Sequence, residues 1–222
     1  MKVGILGLVG SGKSTFAKML QEELAALGHN FSLESYAKPL KVLTSIIFDL
    51  TLDELEDREL KETPKEIDPD YAIQAVFNLL NKTLQFTPEE LETASEKYFE
   101  VLGNKTYISP REFFQLFGTD VVRATKSTAW VDYLQSKKGN LIVSDVRFEN
   151  ELCGENFLLH RHQLAPRPIH PSEHLAWDLE YVEGYWLEFD EHIYQVFNYL
   201  DYTLEELQAQ AKRVARRINN RI

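Results

Sequence analysis

Apolar residues near the start of the chain alternate between short continuous runs and helical spacing. Lys2 to Gly7 is a short apolar run ending in glycine, which predicts a buried strand. Ser14 to Leu27 places its apolar residues at helical spacing. Phe31 to Tyr36 alternates as a second strand, and Pro39 suits the first turn of a helix over Leu40 to Leu50. The pattern predicts two successive β–α units.

The pattern changes between Asp53 and Lys105, where acidic and polar residues dominate. Helical spacing recurs in Tyr71 to Leu84 and in Pro88 to Leu102, whereas strand character is weak. We therefore predict a helical acidic insertion over residues 53–105, within a single domain that spans residues 1–222.

Two serine or threonine residues mark later helix starts. Ser109 is followed by Pro110 and Glu112, which predicts an N-cap, a proline in the first turn and a capping box. Thr203 and Glu206 form the same box at the start of the last helix. The apolar face of that helix is predicted to comprise Leu204, Leu207, Ala211, Val214, Ala215 and Ile218.

Two further strands complete the predicted sheet. Leu141 to Ser144 is a compact apolar run that ends at Asp145, and Asn156 to His160 is a second such run. A loop broken by prolines follows, and residues 161–174 are predicted to form a lid. Strands that alternate with helices predict an α/β fold with a parallel central sheet.

Composition limits the classes of partner. The chain has 24 Lys and Arg against 35 Asp and Glu, a net charge of −11, which disfavours a nucleic-acid polymer as partner. The only cysteine is Cys153, which excludes an internal disulfide and favours a reducing cytoplasm. No apolar run reaches the roughly 18 residues that a membrane span needs. We therefore expect a cytoplasmic protein with no membrane partner.

The loop after the first strand carries a phosphate-binding motif. Gly7 to Ser14 reads Gly-Leu-Val-Gly-Ser-Gly-Lys-Ser and matches the Walker A pattern in full. Backbone N–H groups of such a loop cradle phosphates, Lys13 reaches the β and γ phosphates, and the Ser14 hydroxyl ligates Mg²⁺. ATP is therefore the predicted nucleotide. Its predicted contacts are Gly10, Ser11, Gly12, Lys13, Ser14 and Thr15.

The motif does not name a reaction, because GTPases, ATPases and small-molecule kinases share it. A GTPase switch is disfavoured, since the chain has no Asn-Lys-x-Asp and no Asp-x-x-Gly sequence. Asp145 follows an apolar strand, at the sheet edge where ligands bind in open α/β folds. A carboxylate there can hold the water shell of Mg²⁺ or orient an acceptor phosphate, although it can also cap the following turn.

An acceptor site is predicted on the helix after Ser109. Arg111, Gln115 and Gly118 follow one another at i, i+4 and i+7, which aligns a guanidinium, an amide and an open backbone. Arg111 in a first helical turn calls for a compensating anion, which a phosphate monoester or a neighbouring acid such as Glu112 could supply. Arg123 and Trp130 add a second cation and a stacking surface.

The proline-broken loop supplies the remaining candidate cations. Arg161 and Arg167 are predicted to close over the transferring phosphate, where charge develops in the transition state. Four nearby histidines suggest a zinc site as an alternative, but their spacing matches no standard set of zinc ligands. They are His160, His162, His170 and His174.

Together these residues resemble the deoxynucleoside monophosphate (dNMP) kinases of tailed bacteriophages. The resemblance covers most of the chain except residues 53–105. Its blocks are the Walker A motif, Ser109-Pro110-Arg111-Glu112 with Gln115, Gly118, Thr119 and Arg123, then Trp130-Val131, Ser144 to Phe148 with Asn150-Glu151, and His170-Pro171-Ser172-Glu173.

The resemblance implies a P-loop NTPase fold of the nucleoside monophosphate kinase type and transfer of phosphate from ATP to a dNMP with Mg²⁺. Asp145 and Arg147 would act between the two phosphates, with Lys13 and Arg161 as further catalytic residues and Ser14 and Asp145 at the metal. A host bacterial cytoplasm and a homodimer are also implied. Two alternatives stay open, a P-loop kinase of another small phosphate acceptor and a regulatory ATPase.

Overall fold

The computed structural model describes residues 1–103, 105–160, 171–181, 193–197 and 203–222. Within these residues the chain is an α/β protein with a central sheet of five strands, all paired in parallel. The predicted α/β class and parallel sheet are therefore confirmed. The chain divides into two compact units, the first comprising Met1–Ser35 with Lys137–Ile222 and the second Tyr36–Ser136.

The described elements follow one another in this order along the chain: β1 (Lys2–Leu6), α1 (Lys13–Ala26), β2 (Phe31–Glu34), α2 (Lys38–Phe48), α3 (Arg58–Glu62), β3 (Lys65–Glu66), α4 (Pro69–Asn78), α5 (Pro88–Val101), β4 (Tyr107–Ile108), α6 (Pro110–Gln115), α7 (Ala129–Gln135), β5 (Asn140–Val143), β6 (Glu155–His160), α8 (His174–Tyr181), β7 (Ile193–Phe197) and α9 (Leu204–Asn219). Short 3₁₀ turns lie at Glu54–Glu56, Glu149–Glu151 and Pro171–Glu173, and π-helical segments at Leu79–Thr83 and Leu116–Arg123.

The central sheet belongs to the first unit and has the strand order β2-β5-β1-β6-β7. β1 lies in the middle, with Gly4 opposite Val143 of β5 and opposite Asn156 of β6. Because the strands run in the same direction, their carboxyl ends meet at one edge. The loop after β1 and the loop after β5 therefore leave the sheet side by side.

One face of the sheet is covered by α1 and α9. Leu20 and Leu24 of α1 pack with Ala211 and Ala215 of α9 in a cluster whose members are almost inaccessible to solvent. The Thr203 capping box is confirmed, since its hydroxyl accepts from the Glu206 N–H at 3.2 Å and the Glu206 carboxylate accepts from the Thr203 N–H at 2.7 Å. The strand members of the cluster include Val3, Ile5, Phe31, Ile142, Phe157, Leu159 and Val196.

The second unit is mainly helical. Within it, α4 and α5 lie in the two patches that the sequence predicts as helices, and β3 pairs with β4 as a two-residue antiparallel ladder. The predicted insertion, residues 53–105, lies wholly within this unit, which also includes α2, α6 and α7. The single-domain boundary of residues 1–222 stays a prediction.

Several local predictions differ from the structure. Leu204 is 67% exposed and so does not belong to the apolar face of α9. Ser109 caps α6 as predicted, but the Glu112 carboxylate pairs with Lys105 at 2.6 Å instead of closing the predicted capping box. The elements β3, β4, α7, α8 and β7 were not predicted. No helix among the described residues is both long and apolar enough to cross a membrane.

Candidate functional site

The Walker A loop joins β1 to α1 in a conformation with a positive φ at three glycines, Gly7, Gly10 and Gly12. Gly12 is the N-cap of α1 with a φ of 91°, a left-handed conformation that favours glycine. Gly7 has a φ of 147°, and a Cβ there would lie 2.6 Å from Ser11 Oγ and 2.7 Å from the Leu159 carbonyl oxygen. A side chain at either position would therefore disturb the loop.

The helix that follows the loop begins at Lys13, one residue before the predicted Ser14. No side chain caps its N-terminus, so its first N–H groups suit an anion. Ser14 and Thr15 are exposed in this first turn, and Ser11 is buried. Ser14 thus offers an accessible hydroxyl oxygen, the hard type of ligand that Mg²⁺ prefers.

Lys13 folds back over the loop that precedes it. Its Nζ donates hydrogen bonds to the carbonyl oxygens of Gly7 at 2.5 Å and Leu8 at 2.8 Å. Burial, and after it the nearby charge of Arg147, lowers the pKa of Lys13 to about 8, although the carboxylates of Glu173 and Asp145 oppose the shift. The ammonium is therefore poorly solvated and gains from an added anion.

Asp145 and Arg147 follow β5, the strand that pairs directly with β1. The Val146 N–H donates to the Ile5 carbonyl at 3.3 Å, which continues the contact with β1 beyond the strand. Glu151 is 2% exposed, and its Oε2 accepts hydrogen bonds from the N–H groups of Arg147 at 2.7 Å and Phe148 at 3.3 Å. The backbone that carries both predicted catalytic residues is thus fixed from two sides.

Arg147 also connects this loop to the turn before α8. Its Nη1 forms an ion pair with Glu173 Oε1. The structure therefore brings Lys13, Asp145, Arg147 and Glu173 into one cluster of two cations and two carboxylates. Glu173 lies in the His170 to Glu173 motif, but the sequence assigns it no role, because nothing in a linear pattern pairs it with Arg147.

The second unit contains the predicted acceptor residues. Arg111 in α6 pairs with Glu62 of α3, with 2.5 Å between Nε and Oε1, and its side chain is 32% exposed. Of the two anions considered for Arg111, a phosphate or a neighbouring acid, the structure thus shows an acid. That acid is Glu62 rather than Glu112. Gln115 is half-buried in the same helix.

Gly118 and Trp130 are buried, unlike the open backbone and stacking surface predicted for them. A Cβ on Gly118 would lie 2.8 Å from Leu40 Cδ2, so this glycine accommodates a packed leucine. Trp130 is 5% exposed, and its Nε1 donates to the Gly118 carbonyl at 3.2 Å. These positions do not support direct substrate contact by either residue.

The physical reason for the difference is a change of helix type. The predicted face of Arg111, Gln115 and Gly118 assumed 3.6 residues per turn, but a π-helical segment begins at Leu116. Its wider turn rotates later residues relative to α6. Arg123 ends this segment and donates from Nη1 to the Ser127 carbonyl at 3.3 Å.

The predicted lid lies mostly outside the described residues, which end at His160 and resume at Pro171. Arg161, Arg167 and His170 therefore have no structural outcome here. Among the described residues, no group of three or more His, Cys, Asp or Glu side chains forms a potential metal site. A Mg²⁺ ion bound through a hydroxyl, a carboxylate and substrate phosphates does not need such a group.

No protein-family model and no curated protein matches the chain. The function is therefore inferred from the residues described above. Chemically, the cluster of the first unit can bind a polyphosphate, since it combines uncapped helix N–H groups with a buried ammonium and a guanidinium. The Arg111 guanidinium of the second unit can bind a phosphate monoester by replacing Glu62.

Proposed function

We propose that this chain is an ATP-dependent kinase that converts deoxynucleoside monophosphates to diphosphates, on a P-loop fold of the nucleoside monophosphate kinase type. The observation that carries the proposal is the cluster of Lys13, Asp145 and Arg147 around the Walker A loop. Phosphoryl transfer depends chiefly on positioning and on neutralising charge, and this cluster provides groups for both.

The proposed reaction is an in-line displacement at the γ phosphorus of ATP. An oxygen of the acceptor phosphate forms a bond to that phosphorus, the bond to the β–γ bridging oxygen breaks, and ADP leaves with the electron pair. Lys13 and Arg147 would stabilise negative charge on the transferring group. Ser14 and Asp145 would hold Mg²⁺, which when bound neutralises charge on the β and γ oxygens.

The choice of a dNMP as acceptor depends on the resemblance to the bacteriophage kinases and on Arg111. A guanidinium on that helix would bind any phosphate monoester, so a kinase of another small acceptor is the second candidate. The contact between Arg111 and Glu62 favours neither acceptor over the other.

The test is a coupled assay of ADP release with Mg-ATP and a panel of dNMPs, ribonucleotide monophosphates and no acceptor. Release that requires a dNMP is the expected result. Equal release without acceptor would replace the proposal with a regulatory ATPase. Release only with a different phosphate monoester would keep the kinase and change its substrate.

A further inference from the structure

Glu173 contacts the arginine that the proposed reaction needs. Arg147 Nη1 pairs with Glu173 Oε1, and the two residues are 26 positions apart in the chain. The Glu173 side chain is 15% exposed, whereas that of Arg147 is 39% exposed. The carboxylate is therefore the more deeply placed partner, and the guanidinium is the one that an entering ligand can reach.

The same carboxylate lies near the Walker A lysine. Glu173 and Asp145 both act electrostatically on Lys13, in the direction that favours its charged form. The carboxylates of Glu173 and Asp145 thus match the two cations in number when Lys13 is protonated, and the Glu151 carboxylate also accepts from the Arg147 N–H. This balance differs from a simple anion site, in which the cations would outnumber the acids.

A phosphate and a carboxylate compete for the same guanidinium. Each offers two negatively charged oxygen acceptors that arginine binds through charge-assisted hydrogen bonds. A phosphate that takes the Arg147 Nη1–H bonded to Glu173 has to replace that carboxylate oxygen, and a carboxylate that remained nearby would repel the phosphate. The ion pair therefore opposes phosphate binding at this arginine.

We infer that Glu173 limits the affinity of the nucleotide site, because its carboxylate holds Arg147 until a phosphate group of the nucleotide replaces it. The inference deepens the proposed function and depends on its phosphate site. It assigns a role to a residue that the kinase proposal itself does not use. Glu173 acts through Arg147 and is a positioning residue rather than a catalytic one.

An opposite role for Glu173 would give the opposite result. If the carboxylate braced Arg147 in the geometry that binds phosphate, removing its charge would weaken binding. If Glu173 holds Arg147 away from phosphate, removing the charge strengthens binding. The direction of the change therefore separates the two roles, and a general loss of structure cannot imitate a gain in affinity.

The experiment is isothermal titration of metal-free ATP, which undergoes no transfer, into the full chain at about pH 7. The Glu173→Gln variant is expected to bind about threefold to tenfold more tightly than the wild type, given the strength of a partly exposed ion pair. Glu22→Gln removes the same charge from an exposed site on α1 and is expected to bind like the wild type.

A double-mutant cycle tests whether the effect passes through Arg147. In an Arg147→Gln background, Glu173→Gln is expected to give little or no gain. A gain of the same size in both backgrounds would mean that Glu173 repels the ligand directly rather than through Arg147, and would overturn the inference. Glu173→Ala, a second variant, is expected to tighten binding in the same direction.

Each remaining outcome has one meaning. Binding by the wild type with equal or weaker binding by Glu173→Gln overturns the role of Glu173 and leaves the proposed kinase intact. No binding by the wild type or any variant, with melting curves that show folded protein, overturns the phosphate site and therefore the proposed function.

Discussion

Trp130 donates a hydrogen bond of 3.2 Å from its indole Nε1 to the carbonyl oxygen of Gly118. Both residues are buried, and the carbonyl belongs to a π-helical segment whose hydrogen bonds differ from those of an α-helix. A donor from α7 thus satisfies a carbonyl oxygen within an irregular helix. Two residues that resemble substrate contacts in sequence serve the packing of the second unit.

This contact predicts that Trp130→Phe lowers stability more than it alters catalysis. The phenyl ring keeps most of the buried apolar area, whereas the hydrogen bond to Gly118 is lost. The expected loss in the free energy of unfolding is about 1 kcal/mol. Urea denaturation measures it, and Tyr107→Phe, at a position that is 67% exposed, is the control. A large rise in acceptor KM without loss of stability would instead restore the stacking role.

Much of the first unit, although not α8 or β7, was predicted, because its signals are local. The apolar run of β1, the glycine pattern of the Walker A loop and the Thr203 capping box each depend on residues close together in sequence. The position of Asp145 followed from one rule, that parallel strands end at the same edge of a sheet. These features needed no knowledge of distant contacts.

The parts that sequence reasoning missed depend on distant pairs or on a change of helical period. Glu173 meets Arg147 across 26 positions, and Glu62 meets Arg111 from an acidic segment with no recognisable motif. Gly118 is buried rather than open, and it lies in a π-helical segment that the predicted α-helical period does not anticipate. The spacing of apolar residues shows neither which distant side chains pair nor where a helix changes from α to π.

The ion pair of Arg111 and Glu62 predicts opposite effects for its two partners. Arg111→Ala is expected to weaken the acceptor by about 10²-fold, because a charge-assisted bond to phosphate is lost. Glu62→Gln is expected to lower the acceptor KM by about threefold, since a competing carboxylate is removed. Steady-state kinetics against a dNMP at saturating ATP measures both.

A matched control for this pair lies one turn earlier in α3. Glu59 is exposed and on the same helix, so Glu59→Gln changes the charge equally without touching the pair. If Arg111→Ala left both KM and kcat unchanged, the acceptor site would lie elsewhere. If Glu62→Gln raised KM, the carboxylate would support Arg111 rather than compete for it.

Lys13→Ala is expected to lower the rate of phosphoryl transfer by about 10²-fold or more, since it removes a cation at the transferring phosphate. Its contacts with the carbonyl oxygens of Gly7 and Leu8 show that Nζ lies against the Walker A loop. Lys18→Ala, on the exposed side of the same helix, is the control. Transfer at the wild-type rate by the Lys13 variant would remove the Walker A loop from the proposed mechanism.

The lowered pKa of Lys13 predicts that nucleotide binding takes up a proton in mildly alkaline solution. Burial, followed by the charge of Arg147, lowers this pKa to about 8, whereas the unfolded value is 10.5. Bound phosphate adds negative charge beside the ammonium and so raises the pKa in the complex. At a pH between the pKa of Lys13 in the free protein and its higher pKa in the complex, Lys13 is neutral in the free protein and protonated in the complex.

Affinity for metal-free ATP is therefore expected to fall above about pH 8, by up to about tenfold for each further pH unit. Below that pH both states are protonated, and this source of pH dependence disappears. The effect on folding stability has the opposite sign. Between about pH 8 and the unfolded pKa of 10.5 the unfolded chain binds more protons at Lys13 than the folded chain, so the free energy of unfolding rises with pH.

Titration calorimetry in two buffers of different ionisation enthalpy, from about pH 7 to about pH 9.5, measures both the affinity and the proton uptake. Lys13→Arg is the informative variant, because a guanidinium stays charged throughout this range. It is expected to remove the proton uptake and flatten the affinity profile. A wild-type profile as flat as that of the variant would mean that Lys13 keeps an ordinary pKa. The negative charges of Glu173 and Asp145 would then offset the effects of burial and of Arg147 completely.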